Sequence, residues 1–243
     1  MDKRFALVVG ASGEIGIAVS HSLAESGWSL YLHFASNKEK MDELLATLNL
    51  AYPEQEFISI QADLSDSNAI EIMANSIFTL QSVVFAQGHS LYKGLEETAL
   101  NEIQKLFQVH IEHPMFLVGK LSPKLRKHEH SSIIFVGSIW GETGASYEVA
   151  YSAAKGAQHA FVKAYAKEVA MQKTTVNVVA PGFIDTKMNA HLDEESRNLI
   201  LEEIPSGIFG NPQDVANVIA FLASEKAYYI TGQIIRVNGG WYI

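Results

Sequence analysis

Ser138, Tyr151 and Lys155 are three side chains that together could manage one proton and one carbonyl oxygen. In a helix, Tyr151 and Lys155 stand one turn apart on the same face. A free tyrosine titrates near ~10 and is a sluggish acid at neutral pH. A neighbouring ammonium favours the phenolate and brings that value toward the working range. The Ser138 hydroxyl would polarise a substrate carbonyl, which then needs only a hydride to become an alcohol. Tyr-x-x-x-Lys alone is a weak signal, because a solvated helix face in a chain with nine tyrosines can show it by chance. The segments that position these residues carry the weight.

The chain has 243 residues, 48% of them hydrophobic, which is enough for a large core. A net charge of -9 argues against a nucleic-acid partner. The absence of cysteine removes disulfides, thiolate metal sites and thiol nucleophiles, and no metal site is expected. It also fits a cytoplasmic setting. Lys3-Arg4 before Phe5–Val9 imitates a signal peptide, but the apolar run stops at Gly10 and is too short for one or for a membrane span.

Phe5 to Val9 reads as a strand buried on both faces, followed by the turn Gly10-Ala11-Ser12-Gly13-Glu14-Ile15-Gly16 and a helical pattern to Gly27. Strand, glycine turn and helix form the context of a dinucleotide fingerprint, in which backbone and helix N-terminus cradle a pyrophosphate. A second strand, 28–34, ends without the acid that would hold both ribose hydroxyls. Ser36, Asn37 and Lys38 can meet a 2′-phosphate there, or simply cap the next helix. The third strand, 57–62, leads to Asp63-Leu64, an acid for an adenine amine and a side chain for its ring. Strands are expected at 82–86, 133–137, 175–179 and 233–237, and helices at 98–127 (interrupted by Pro114 and Pro123), 150–171 and 212–223. Gly10, Gly88 and Ser138 all follow strands, so their three loops face one crevice, with Ala86 ending the fourth strand and Pro181-Gly182 ending the sixth. The charged, loosely amphipathic segment 185–203 reads as a mobile lid. Strands alternating with helices throughout imply one doubly wound α/β domain over residues 1–243.

In order and spacing, these motifs resemble the short-chain dehydrogenase/reductase family. The match runs through Gly10 to Gly16, Asp63-Leu64, Ser138, Tyr151-x-x-x-Lys155, Asn177 to Gly182 with Thr186, and Thr231 to Gly240. The resemblance implies a seven-stranded Rossmann-like parallel sheet, a nicotinamide cofactor and hydride transfer to or from a carbonyl; with the acid-free end of the second strand, the expectation is NADPH and reduction of a ketone. It makes Tyr151 the proton donor, Lys155 a tuner and ribose ligand, and places Ile184 and Thr186 at the nicotinamide. It also implies a homo-dimer or homo-tetramer built on two long helices. The chain is similar to 3-oxoacyl-carrier-protein reductases. Gln87 to Tyr92, Val109-His110 and Ser138 to Val149 look more like reductases of the 5-aminopentanone on elongation factor P.

The chain departs from the family pattern at Glu14, where glycine is usual, in Phe85-Ala86-Gln87-Gly88, where the family has Asn-Asn-Ala-Gly, and in lacking a basic residue in the glycine loop. His110 replaces an active-site asparagine. Because Pro114 has no N–H, the His110 carbonyl is expected to be free for a water shared with Lys155. Two substrate proteins are in view. An acidic acyl carrier protein suits a basic rim at Lys124, Arg126, Lys127 and Lys173. An ammonium-bearing ketone on elongation factor P suits Glu142 and Glu148 at the pocket mouth. A nucleotide-sensing scaffold without turnover is the alternative from another class.

Overall fold

A computed structural model of the chain describes residues 3–189 and 192–243. Seven strands form one parallel sheet in the order β3-β2-β1-β4-β5-β6-β7. They are β1 (Phe5–Val9), β2 (Ser29–Phe34), β3 (Phe57–Gln61), β4 (Ser82–Phe85), β5 (Ser131–Val136), β6 (Thr174–Pro181) and β7 (Ile234–Val237). The helices are α1 (Glu14–Glu25), α2 (Lys38–Ala51), α3 (Asn68–Ser76), α4 (Leu100–Phe107), α5 (His113–Leu125), α6 (Trp140–Thr143), α7 (Val149–Val169), α8 (Glu194–Glu203) and α9 (Pro212–Ala223). Among the described residues, no helix is long and apolar enough to cross a membrane.

The sheet is buried on both faces because its strands send alternate residues into two cores. Leu7 and Val9 pack with Ile70 of α3, Leu117 and Leu121 of α5 and Val162 of α7. Ala6 and Val8 pack with Leu23 of α1, Leu44 of α2 and Ile219 of α9. This two-sided burial explains why the strand runs read as continuous apolar stretches rather than alternating ones. The chain starts at β1 in mid-sheet, winds outward to β3, then returns to β4 on the other side of β1. The loops after β1 and β4 therefore part at a switch point, which opens a crevice at the C-terminal edge.

The helical segment over 98–127, expected to be interrupted at Pro114 and Pro123, is divided near the first of these and runs on through the second. A π-helical turn, Gln108–Glu112, separates α4 from α5. Pro114 sits in the first turn of α5, where a missing N–H is tolerated, and the extra residue of the π turn absorbs the lost hydrogen bond. The lid segment 185–203 contains α8, which has no buried residue. Ala190 and His191, within that segment, lie outside the described residues.

His33, near the end of β2, pins the crevice floor. Its Nδ1 accepts from the Gly10 N–H (3.1 Å), and its Nε2–H donates to the Ala62 carbonyl (2.9 Å). The Gly10 bond requires a neutral ring, with Nδ1 unprotonated. Burial lowers the His33 pKa to about 4, offset in part by the Ala62 carbonyl, and burial likewise takes His159 to about 4. Below pH 6.5 the unfolded chain binds protons that these folded rings refuse, so stability falls as pH drops from about 6.5 toward 4. The steepest slope is about 1.4 kcal/mol per pH unit per ring. Urea melts should show a lower midpoint at pH 5 than at pH 7, with a shallower loss in His33→Gln. A midpoint unchanged between those pH values would contradict the assignment.

Candidate active site

Ser138 follows β5, while Tyr151 and Lys155 lie on α7 with their side chains buried at the same sheet edge. Lys155 Nζ donates to the Val136 carbonyl at 2.8 Å, which ties α7 to the end of β5. The same Nζ stands 5.6 Å from the centre of the Tyr151 ring, and the Ser138 hydroxyl lies close enough to the phenol to favour its charged form. Ser138 Oγ also accepts from the Trp140 N–H at 3.2 Å, so the loop itself orients the hydroxyl.

The electrostatics differ from the sequence expectation. Burial raises the Tyr151 pKa well above its ordinary value, Glu148 raises it further, and the Ser138 hydroxyl offsets only part of this. Lys155, also buried, is lowered to about 7. In the bare protein the ammonium does not bring the phenol toward neutrality, because both charges would have to exist where water is excluded. Tyr151 is held as a neutral acid. Lys155 is the group that titrates near physiological pH.

His110 does not serve as expected either. The Gln158 amide donates to its carbonyl, which was expected to receive a water shared with Lys155. Its ring is buried and packs edge-on against Tyr151, with centres 5.5 Å apart. Nε2 meets the backbone of His89, 3.3 Å from its N–H and 3.0 Å from its carbonyl. Gly88 lies against this ring so closely that a Cβ there would collide with it. Gln87, the other departure in this wall, donates to the Val109 carbonyl at 3.1 Å. The two substitutions meet at the π turn and hold the β4 loop to it.

The glycine loop is built to receive an anion. Gly10 has φ +81°, and a Cβ there would come within 2.6 Å of the Gln87 backbone. Gly13 precedes α1 and no side chain caps the helix, so its first N–H groups remain available. Ser12 and Ile15 are partly exposed on this loop and Gly16 is buried beneath it. Glu14 turns away from the cradle, and its Oε2 accepts the Lys187 N–H at 2.7 Å. This clasp joins the glycine loop to the segment after Pro181-Gly182, where Thr186 Oγ1 and Asn189 Nδ2 both donate to the Ile184 carbonyl. Ala86 closes the crevice floor by donating its N–H to the Val9 carbonyl.

Further out, the placements are mixed. Asp63 is exposed, and Oδ1 takes both the N–H and the hydroxyl of Ser65. Leu64 is 3% exposed and belongs to the core, so its side chain is not free to cover an adenine ring. Asn37 caps α2 by accepting the Lys40 N–H, the alternative already visible in sequence. Ser36 is exposed beside it, and Lys38 pairs with Asp42 one turn along. That pair is exposed and worth little, so Lys38 can change partners.

Of the two charge sets expected to choose a substrate, the basic one lies away from the site and the acidic one is divided. Arg126, Lys127 and Lys173 line a groove with His128 and Glu129 at the N-terminal ends of β5 and β6. Lys124 reaches the Ala74 carbonyl. The six residues of β5, roughly 20 Å of strand, separate that rim from Ser138. Glu142 is engaged by two nitrogens of Arg236, Nε and Nη2, at 2.9 and 2.6 Å. Glu148 alone makes its charge felt at Tyr151.

Sequence reasoning passed over His159. Its ring is buried one turn beyond Lys155, and neither nitrogen has a hydrogen-bond partner. A Cβ on Gly137 or Gly141 would strike it, so the ring is the wedge beneath the Ser138 loop. The pair of glycines around Ser138 was the available signal.

Sheet order, anion cradle and the Ser–Tyr–Lys group define a Rossmann-type oxidoreductase. A family model described as enoyl-(acyl carrier protein) reductase matches residues 10–242. An uncharacterised oxidoreductase of Bacillus subtilis, YmfI, is 42% identical over 98% of both chains. The 3-oxoacyl-[acyl-carrier-protein] reductase FabG of Staphylococcus aureus is 32% identical, again over 98% of both. Among solved structures, a putative NAD(P)-dependent gluconate 5-dehydrogenase from Beutenbergia cavernae superposes with a TM-score of 0.91 at 27% identity, covering 98% of this chain and 96% of that one. The chain belongs to the short-chain dehydrogenase/reductase family and is an NAD(P)-dependent oxidoreductase.

Two outcomes follow from this geometry. Lys155 loses its charge near pH 7, so affinity for the anionic cofactor should weaken as pH rises from 7 to 9, and Lys155→Met should abolish that dependence. A wild-type affinity flat across this range would contradict it. Glu14→Ala removes the clasp and should speed cofactor release about fivefold in stopped-flow fluorescence, whereas Glu14→Gln, which keeps an acceptor, should not. Equal release rates in all three proteins would show that the clasp is idle.

Proposed function

We propose that this protein reduces a ketone to an alcohol with NADPH, and that the ketone is carried on another protein. The observation that supports this best is the convergence of the Ser138 and Tyr151 hydroxyls beside a buried lysine. Two neighbouring hydroxyl groups suit a carbonyl oxygen, which an isolated carbon–carbon double bond lacks. Ser138 polarises the carbonyl, and Tyr151 gives its proton to the oxygen as negative charge develops there. An alkoxide is a stronger base than a phenolate, so even a raised Tyr151 pKa leaves that transfer downhill. Lys155 stabilises the phenolate left behind and holds the cofactor ribose. His110 and His159 keep Tyr151 and Ser138 in place. The nicotinamide supplies the hydride when bound.

NADPH is favoured over NADH because β2 ends without a carboxylate to repel a 2′-phosphate, and Ser36, Asn37 and Lys38 stand at the N-terminus of α2. Ile184, Thr186, Pro181 and Gly182 would line the nicotinamide end, and Asp63 the adenine end. A solved structure with TM-score 0.93 at 24% identity is an NADPH-dependent reductase of bacilysin biosynthesis, and the Beutenbergia protein holds NADP. The protein would work in the cytoplasm. Met115 and Phe116 are exposed on α5, and Ala153, Ala160 and Ala164 on α7. These are surfaces on which a dimer or tetramer could close.

For the substrate, we favour the 5-aminopentanone on elongation factor P. Glu148 is felt at the reacting phenol and would receive an ammonium, while the basic rim that an acidic carrier would need lies on the opposite edge. The second reading, a 3-oxoacyl-[acyl-carrier-protein] reductase, is favoured by the 32% identity to FabG along nearly the whole chain. Glu148→Gln should weaken reduction of the aminoketone severalfold and leave acetoacetyl thioesters unchanged. Faster reduction of acetoacetyl-carrier protein by the wild type, with no effect of Glu148→Gln on the ratio, would establish the second reading. Tyr151→Phe should lower turnover of either substrate by a factor of about 10² or more while cofactor affinity stays similar. Substantial activity in that variant would remove Tyr151 from its role.

A further inference from the structure

Tyr92 and Tyr147 form an exposed aromatic pair on the two loops that flank the catalytic tyrosine. Their rings stack with centres 5.6 Å apart at 27°. They remain 60% and 56% exposed, and Leu95 beside Tyr92 in the chain and Val149 at the start of α7 are also open to solvent. Tyr147 lies four residues before Tyr151 and has φ +62°, the left-handed region that an L residue with a bulky side chain adopts only at a cost. The backbone is held there by the Lys93 N–H, which donates to the Tyr147 carbonyl at 2.6 Å. A strained residue that shows a large ring to water calls for a reason outside the fold.

Charge indicates what the pair meets. The loops 87–99 and 139–149 carry Glu96, Glu97, Glu142 and Glu148 against one cation, Lys93. Lys93 is bound to Glu102 at 3.0 Å, and Arg236, which reaches in from β7, is bound to Glu142. Aromatic faces among carboxylates attract ammonium and guanidinium groups and repel acidic chains.

We propose that Tyr92 and Tyr147 form a docking platform for a basic, extended segment of the protein that carries the ketone. This rests on the reductase reading above and adds where the polypeptide around the ketone is held and what charge it bears. The loops are tied to each other by the ring stack and the Lys93 bond, so the platform is in place before the substrate arrives. It adds affinity for the attached chain and contributes nothing to the chemistry at the carbonyl.

The test uses one aminoketone in three forms: free, on a lysine within a peptide flanked by lysine and arginine, and within the same peptide flanked by glutamate. NADPH-dependent kcat/KM is measured for the wild type, Tyr92→Ala, Tyr147→Gly and Tyr147→Phe. Tyr147→Gly removes the ring and relieves the backbone, so folding is not threatened, and Tyr147→Phe keeps the stack. Wild type should prefer the basic peptide to the free ketone and to the acidic peptide by about tenfold. Tyr92→Ala and Tyr147→Gly should lose that preference through KM while keeping the free-ketone rate within about twofold, and Tyr147→Phe should retain it. Equal rates on the basic and acidic peptides, or equal losses on the free ketone and the peptides, would overturn the platform but not the reductase. A change in oligomeric state on Tyr92→Ala, with peptide preference intact, would assign the pair to a second copy of this chain and overturn it as well. Failure of the wild type to reduce any of the three forms would overturn the reductase reading, and the platform with it.

Discussion

A buried ammonium needs an oxygen to receive it, and in this protein that oxygen is the Val136 carbonyl at the end of β5. The bond draws the N-terminal half of α7 onto the sheet edge. Glycine at 137 and 141 lets the helix come that close, with the His159 ring filling the remaining space. Ser138 lies between those glycines, and Tyr151 stands one turn before the lysine. The positions of both hydroxyls are consequences of where Lys155 finds its acceptor. The same burial makes Tyr151 a neutral acid and leaves Lys155 titrating near neutrality, so one constraint supplies geometry and electrostatics together.

The wall opposite α7 shows how departures from a family pattern can compensate one another. Gln87 stands where the family has alanine and His110 where it has asparagine, and singly each looks like a loss. In the fold they meet. Gln87 binds the π turn at Val109, the His110 ring fills the space that Gly88 leaves open, and Gln158 accepts the task of satisfying the His110 carbonyl. Glu14 has a comparable history. A carboxylate in a pyrophosphate loop is unfavourable only while it faces the phosphate, and here it faces the Lys187 N–H.

Much of this was legible in the sequence because it depends on local chemistry. Apolar runs of strand length, the turn from Gly10 to Gly16 and the spacing from Ser138 to Lys155 are short-range signals, and the sheet and its catalytic edge follow from them. What escaped depends on contacts between distant segments. The partner of Glu142 is Arg236, 94 residues away, and nothing near Glu142 announces it. The basic residues at 124–127 and 173 looked suited to a rim, yet only the parallel strand direction shows that they lie on the far edge. The sign of the Tyr151 shift was misjudged for a related reason: spacing reveals the neighbouring lysine but not the loss of water around both groups. The π turn at Gln108–Glu112 has no sequence signature beyond Pro114, which also suits an ordinary first turn of a helix.

The central claim is that hydride and proton meet at one ketone beside Ser138 and Tyr151. It is tested most directly with NADPH deuterated at both C4 positions and an aminoketone substrate, with the product analysed by mass spectrometry. The account predicts one deuterium on the carbinol carbon, formed by the wild type and reduced to a trace by Tyr151→Phe. Cofactor oxidation without deuterium in the product, or equal labelling by both proteins, would contradict it.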